Sequence, residues 1–276
     1  MTSAYRKLNI YREKTDRIDA LNVIKCLTNH LSELSVITKQ SNDSLPLILN
    51  DLTTSRQRFV NQRIATKNAI HHFLHHIEPE YMLVVKNFNT KISLKLAIKL
   101  CKKILKNTTE LETINRAELA IENIESLITL NTVIDNLEKK IKNIIVNSEY
   151  MYLINSYKGI SYITLAEILA LVSDINRFAT PEKFCKYCGI APIQFSSGGS
   201  KKFHSNKFGV RELRTVFHTV AVTRARTCLE DKEYLEKHIT RGKTKKQALI
   251  LLMRRNVLTV YALLKKKQPY ATPVLA

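Results

Sequence analysis

Residues 114–144 read INRAELAIENIESLITLNTVIDNLEKKIKNI. Within them Ala117, Ile121, Ile124, Leu127, Leu130, Ile134, Leu137, Ile141 and Ile144 step by three or four, with charged residues between. At about 3.6 residues per turn that spacing forms one apolar stripe, so the segment is a long amphipathic helix or a coiled coil. The step 124-127-130 takes two threes in succession, a stammer that locally overwinds a supercoil. A second helix, from about Asp51 to Ile77, can pair with it, either as an antiparallel arm within the chain or as a contact between chains.

The sequence on both sides has the same character. Only 6 Gly and 6 Pro occur among 276 residues, too few turn residues for a strand-rich fold, and the expected class is mainly α. The pattern changes after Tyr150, where a domain boundary is expected. Leu153 to Phe178 reads as helix, tight turn at Lys158-Gly159-Ile160-Ser161, and helix; Pro181 then opens a short helix running to Gly189. The least helical segment is Ala191-Pro192-Ile193-Gln194-Phe195-Ser196-Ser197-Gly198-Gly199-Ser200-Lys201-Lys202. Helices resume near Val210 and again from Lys245 to Leu264.

Composition narrows the function. A hydrophobic share of 45% with 25% charged residues belongs to a globular chain. The 44 Lys+Arg against 24 Asp+Glu leave a net charge of +20, a field that attracts polyanions, nucleic acid first among them. Most of that excess lies in residues 151–276. The start, Met1 to Lys7, has no apolar leader, and the most apolar stretch, Gln247 to Leu264, is broken by Arg254-Arg255-Asn256, so neither secretion nor membrane spanning is expected. Cys26, Cys101, Cys185, Cys188 and Cys228 form an odd set, expected as reduced thiols in a cytosol.

Several clusters can carry chemistry, and each has a plain structural reading beside it. Asp16 and Asp19 lie three apart on a helix that Thr15 can cap; two such carboxylates suit a hard cation such as Mg²⁺, and equally complement a helix N-terminus. His71, His72, His75 and His76 form two i,i+4 pairs of zinc-binding spacing, without the acid of a zincin motif, and also fit a solvated helix face. Cys185 and Cys188 form a lone CxxC within a helical stretch, expected as small core residues. The glycine turn at Gly159 is similar to a helix-hairpin-helix, which offers backbone N–H groups to a phosphate, or is a simple connection between helices. The run Ser196-Ser197-Gly198-Gly199-Ser200-Lys201-Lys202 combines hydroxyls, glycines and cations, which suits a phosphate or a surface loop. Lys207, Arg211 and Arg214, around Gly209, can reach backbone phosphates or form a solvated face.

Taken in order, these motifs resemble the DEDD-type insertion-sequence transposases of the IS110/IS116/IS902 type, relatives of the Piv-type site-specific invertases. Lys14-Thr15-Asp16-Arg17-Ile18-Asp19-Ala20 resembles the end of their RuvC-like catalytic domain. Tyr157-Lys158-Gly159-Ile160 through Phe178, then Phe184, Gly189-Ile190-Ala191-Pro192, Ser197-Gly198, Lys207, Gly209, Leu213-Arg214 and the Ala248–Tyr270 tail resemble their second domain in order and spacing.

The resemblance implies residues 1–50 as a remnant of the RuvC-like α/β domain, 51–150 as a helical coiled-coil arm, and 151–276 as a helical transposase domain. It implies Asp16 and Asp19 as the third and fourth acids of a D-E-D-D site for Mg²⁺ and Ser197 as the nucleophile. Gly159, Lys201, Lys202, Lys207, Arg211 and Arg214 are then the contacts to nucleic acid. It further implies DNA and an element-encoded guide RNA as partners, a homo-oligomer joined through the arm, and a cytoplasmic location. The family's first Asp and its Glu lie well before the third acid, whereas fifteen residues precede Asp16, so the resemblance implies an N-terminally truncated, incomplete metal site. Two rival readings are a non-catalytic fragment that binds DNA or RNA, and a structural oligomerising protein.

Overall fold

Burial in the computed structural model follows the stripe in residues 114–144, with Ala117, Ala120, Ile124, Leu127, Ile134, Ile141 and Ile145 shielded along one 36-residue helix. The structure describes residues 16–30, 44–191, 193–197, 200–204 and 209–271. They fall into two units, Met1–Ser44 and Leu45–Ala276. The first contains helix α1 (Asp16–His30); the cap expected at Thr15 lies outside the described residues.

The second unit runs α2 (Leu45–Ile77), α3 (Tyr81–Val84), α4 (Lys91–Asn107), α5 (Leu111–Val146), α6 (Met151–Ser156) and α7 (Tyr162–Val172). A 3₁₀ turn at Ile175–Arg177 leads to α8 (Pro181–Tyr187), strands β1 (Ile193–Ser197) and β2 (Ser200–His204), and helices α9 (Arg211–Thr227), α10 (Leu229–Thr240) and α11 (Lys245–Lys266). The described residues are therefore mainly helical.

Helices α2 and α5 pair antiparallel within the chain. Leu49 near the start of α2 shares a core with Ile141 and Ile145 at the end of α5, while Ile70 and Leu74 at the far end of α2 meet Ala117, Ala120 and Ile124. Arg56 fixes the register, 2.7 Å from Glu138. Helix α4 closes the far end by burying Leu94, Ala97 and Cys101. Its start is fixed by a capping box in which Thr90 and Ser93 satisfy each other's backbone N–H groups.

The other core gathers around α7 and α11. Helix α7 is apolar on nearly every side, burying Leu165, Ala166, Ile168, Leu169 and Val172, as expected of a helix enclosed by others. Helix α11 adds Leu252, Val257, Val260 and Leu264 to the same core and packs against α8, α9 and α10. Among the described residues α11 is the one helix long and apolar enough to cross a membrane; half of its apolar window is buried in this core. Because Leu49, Ile141 and Ile145 join the same core, packing is continuous across residue 150, where the backbone breaks between α5 and α6.

Four elements go beyond the sequence expectation: α3, α4, α10 and the β-hairpin. The segment read as least helical pairs antiparallel, with Phe195 opposite Lys202, Ser196 opposite Lys201 and Ser197 opposite Ser200. The alternation of Ile193 and Phe195 with Gln194 and Ser196, ending at Gly198-Gly199, is a hairpin signal that a serine-rich composition conceals.

Candidate functional site

The glycine turn between α6 and α7 is held from three sides. Gly159 has φ +99°, a left-handed conformation open to glycine at little cost. The Arg224 guanidinium donates to the Lys158 carbonyl at 2.9 Å and lies 3.9 Å from the centre of the Tyr157 ring. The Tyr157 hydroxyl donates to Asn256 Oδ1 at 2.9 Å, and burial drives that phenol well above its ordinary pKa. Ser161 caps α7 by accepting from the Thr164 N–H, as an N-cap serine does.

Arg224 is buried because its charge is matched. Asp231 on α10 takes its Nε–H in a buried ion pair, and Arg255 on α11 approaches the other Asp231 oxygen at 3.6 Å. Tyr270 joins this centre through its N–H, which donates to Ser156 at 2.9 Å. Sequence reasoning singles out neither Arg224 nor Asp231. A turn in α6–α7, a helix junction at Cys228 and a C-terminal helix meet only in three dimensions.

The segment carrying Ser197 is closed at its base by two glycines. A Cβ on Gly209 would lie 2.2 Å from both Cα and N of Gly189, so the two backbones touch. Gly189 itself has φ +68°, and the Val210 N–H donates to the Tyr187 carbonyl at 2.8 Å. The ends of α8 and α9 are therefore clamped, and the β-hairpin extends between them. Ser197 is the last residue of β1; Lys201 and Lys202 follow in β2. Lys207 lies outside the described residues.

The remaining sequence candidates take different places in their own elements. Arg214 donates to the Gly189 carbonyl at 3.3 Å, so it braces the clamp. Arg211 lines a cleft of about 950 Å³ where α2, α7 and α9 meet, together with Gln57, Arg58, Thr164, Glu167 and Thr215. Burial raises the Glu167 carboxyl above its ordinary pKa, opposed by Arg56, whose guanidinium is 3.9 Å away. Asp16 and Asp19 lie one turn apart at the start of α1.

His71 hydrogen-bonds the Tyr81 hydroxyl and packs edge-on against Phe88 at 4.7 Å, fastening α2 to the segment before α4. Among the described residues no group of three or more His, Cys, Asp or Glu is placed to hold a metal. Cys185 and Cys188 are enclosed in the core; burial pushes the Cys185 thiol up to about 11 and raises Cys188 further. They pack as small apolar residues.

Two family models match this chain, over separate stretches. Residues 151–236 match the Transposase IS116/IS110/IS902 family, and residues 1–79 match the IS110 DEDD model, described as Transposase. Among similar proteins, the insertion element IS110 uncharacterized 43.6 kDa protein of Streptomyces coelicolor is 28% identical over 130 residues, covering 47% of this chain and 32% of that protein. The insertion element IS116 uncharacterized 44.8 kDa protein of Streptomyces clavuligerus is 26% identical over 151 residues, 54% of this chain and 38% of its own. The pilin gene-inverting protein of Moraxella lacunata is 27% identical over 121 residues, 43% and 38% respectively. The aligned parts span about a third of these relatives' lengths.

Both matching models describe transposases. The chain belongs to the IS116/IS110/IS902 transposase family.

Proposed function

We propose that this chain acts in DNA transposition or site-specific recombination by phosphoryl transfer, with Ser197 as nucleophile. The observation that carries this reading is the presence of two transposase matches on one chain. Asp16 and Asp19 fall within the first, and Ser197 within the second. In the reaction, the Ser197 hydroxyl forms a new P–O bond at a DNA phosphate while the bond to one DNA oxygen breaks. The serine proton ends on the released DNA hydroxyl, and the phosphoserine conserves bond energy for rejoining.

The position of Ser197 supports that role. It ends β1, in the hairpin that the chain forms between the closely packed Gly189 and Gly209. Lys201, Lys202 and Lys207 bring positive charge along the chain to the phosphate, and Arg211 presents a guanidinium from the cleft rim. The Gly159 turn serves as a helix-hairpin-helix-like phosphate contact whose shape Arg224 maintains.

Asp16 and Asp19, hard oxygen donors one helical turn apart, suit Mg²⁺ and are the residues that would hold it. When bound, the ion neutralises charge developing on the phosphoryl oxygens. Residues 1–50 are assigned to a RuvC-like catalytic part, 51–150 to the arm through which subunits associate, and 151–276 to the transposase part. An element-encoded guide RNA completes the partners.

The test is a recombination assay on a plasmid carrying the element's ends, with Ser197→Ala, Asp16→Asn and Asp19→Asn set against the unchanged chain. Loss of joined product in each variant with retained DNA binding is expected. Salt-sensitive binding without strand cleavage by the unchanged chain would replace this reading with that of a non-catalytic DNA-binding protein.

A further inference from the structure

Helix α4 carries a cationic face that lies outside both family matches. Between Tyr81 and Asn107 the sequence has no acidic residue, and α4 itself reads KISLKLAIKLCKKILKN. Its buried side is set by Leu94, Ala97 and Cys101. At about 100° per residue, Lys91, Lys95, Lys99, Lys102, Lys103 and Lys106 then fall within roughly a third of the circumference, largely opposite that buried side. All of these lysines are exposed. Among the described residues none of them is ion-paired; the ion pairs that involve the arm are Arg56 with Glu138 and Glu167, Arg116 with Glu112, and Glu149 with Lys267.

Such a face is unfavourable in isolation. Like charges at i,i+4 repel, and Lys91, Lys95 and Lys99 repeat that spacing, as do Lys95, Lys99 and Lys103, and Lys102 with Lys106. The repulsion is relieved by a surface of regularly spaced anions. Six lysines along about 22 Å of helix axis match the axial charge density of one strand of a duplex, which presents one phosphate per roughly 3.4 Å.

We infer that the lysine face of α4 docks the phosphate backbone of double-stranded DNA. Lysine is a flexible point charge without the planar fork that reads base edges, so the contact holds DNA without selecting sequence. This places a second DNA contact on the arm, remote in sequence from Ser197, and rests on the proposed function only in taking DNA as the partner. Ile92 and Leu96 are 72% and 39% exposed on the flank of the same face, a combination also found on helices that lie on anionic membranes. DNA is favoured because the chain belongs to a transposase family.

The test is fluorescence anisotropy of a labelled duplex of roughly 30 base pairs and arbitrary sequence, titrated with the full chain over a series of salt concentrations. Lys95, Lys99, Lys102 and Lys106→Gln together should flatten the slope of log K against log salt by about 3 to 4, at roughly 0.9 for each phosphate no longer neutralised. The weakening should be equal on unrelated duplexes, and the same positions as Arg should restore the slope. A control changing Lys139, Lys140, Lys232 and Lys237→Gln matches the charge change and should flatten the slope by less than about 1.

An unchanged slope in the α4 variant, or equal flattening in the control, overturns the inference. So does a variant that keeps DNA affinity and no longer binds phosphatidylserine vesicles. If the unchanged chain shows no salt-dependent binding, the proposed function fails with it. Steep binding by the unchanged chain and the α4 variant alike removes only the α4 contact.

Discussion

Arg224 and Asp231 form an ion pair across the α9–α10 junction with side chains only 4% and 1% exposed, and the same guanidinium donates to the Lys158 carbonyl in the glycine turn. One buried charge pair thus ties the turn to the two helices that follow the Ser197 hairpin. Asp231→Asn leaves a buried guanidinium without its counter-charge and should cost about 3–5 kcal/mol. Urea unfolding followed by circular dichroism measures it, with the denaturant slope unchanged. A cost below about 1 kcal/mol would mean that Arg255, 3.6 Å from Asp231, and the Tyr157 ring matter more than the pair.

The two special glycines should respond differently. A Cβ on Gly159 meets Arg224 Cγ at 2.6 Å and inherits φ +99°, and Arg224 can give way only by straining its bonds to Asp231 and the Lys158 carbonyl. Gly159→Ala should cost about 1–3 kcal/mol, chiefly from the backbone conformation. A Cβ on Gly209 meets backbone atoms of Gly189 at 2.2 Å, which cannot move without opening the clamp. Gly209→Ala should therefore be the more destabilising by thermal melting. Equal melting points would show that the α8–α9 clamp is loose.

Glu167 supplies a pH dependence of definite sign. Its carboxyl pKa is raised in the folded chain by burial, more than Arg56 lowers it. Between the ordinary glutamate range and the raised value the folded state binds more protons than the unfolded one. Stability from this group is thus complete below the unfolded pKa and falls as pH rises through the folded one. Glu167→Gln should therefore be more stable than the unchanged chain at neutral pH, with the gain vanishing once the pH drops below the ordinary glutamate range. A variant less stable at neutral pH would mean that the Arg56 contact at 3.9 Å outweighs desolvation.

The parts of the fold that depend on local periodicity are legible in the sequence. The stripe from Ala117 to Ile141 identifies the long helix, and the Lys158 to Ser161 turn is marked by its glycine, which takes a positive φ. An apolar stripe does not say whose partner it meets, so sequence leaves open whether α2 pairs within the chain; Leu49 against Ile145 and Ile70 against Ala120 supply the answer. The β-hairpin is hidden because Ser196, Ser197, Gly198 and Gly199 look like a loop, and only the pairing of Phe195 with Lys202 makes it a ladder.

Arg224 and Asp231 are hidden for a different reason. A charge pair at i,i+7 across a helix break has no sequence signature, and its burial depends on Tyr157, Asn256 and Tyr270 arriving from distant segments. Arg214 reads as a phosphate contact in the sequence, and its bond to the Gly189 carbonyl shows that a cation near a glycine can equally brace the glycine's own backbone. The α4 lysines are obscured by the net charge, whose excess is larger in residues 151–276 but spread there over several elements.

The measurement that bears most directly on the central claim is recovery of a covalent protein–DNA adduct. The full chain would be incubated with Mg²⁺ and end-labelled DNA carrying the element's terminal sequence, denatured in detergent, digested with trypsin and analysed by mass spectrometry. The account predicts a phosphodiester adduct on the peptide containing Ser197, absent in Ser197→Ala. Joined DNA product formed without any adduct, or an adduct that persists in Ser197→Ala, would contradict it.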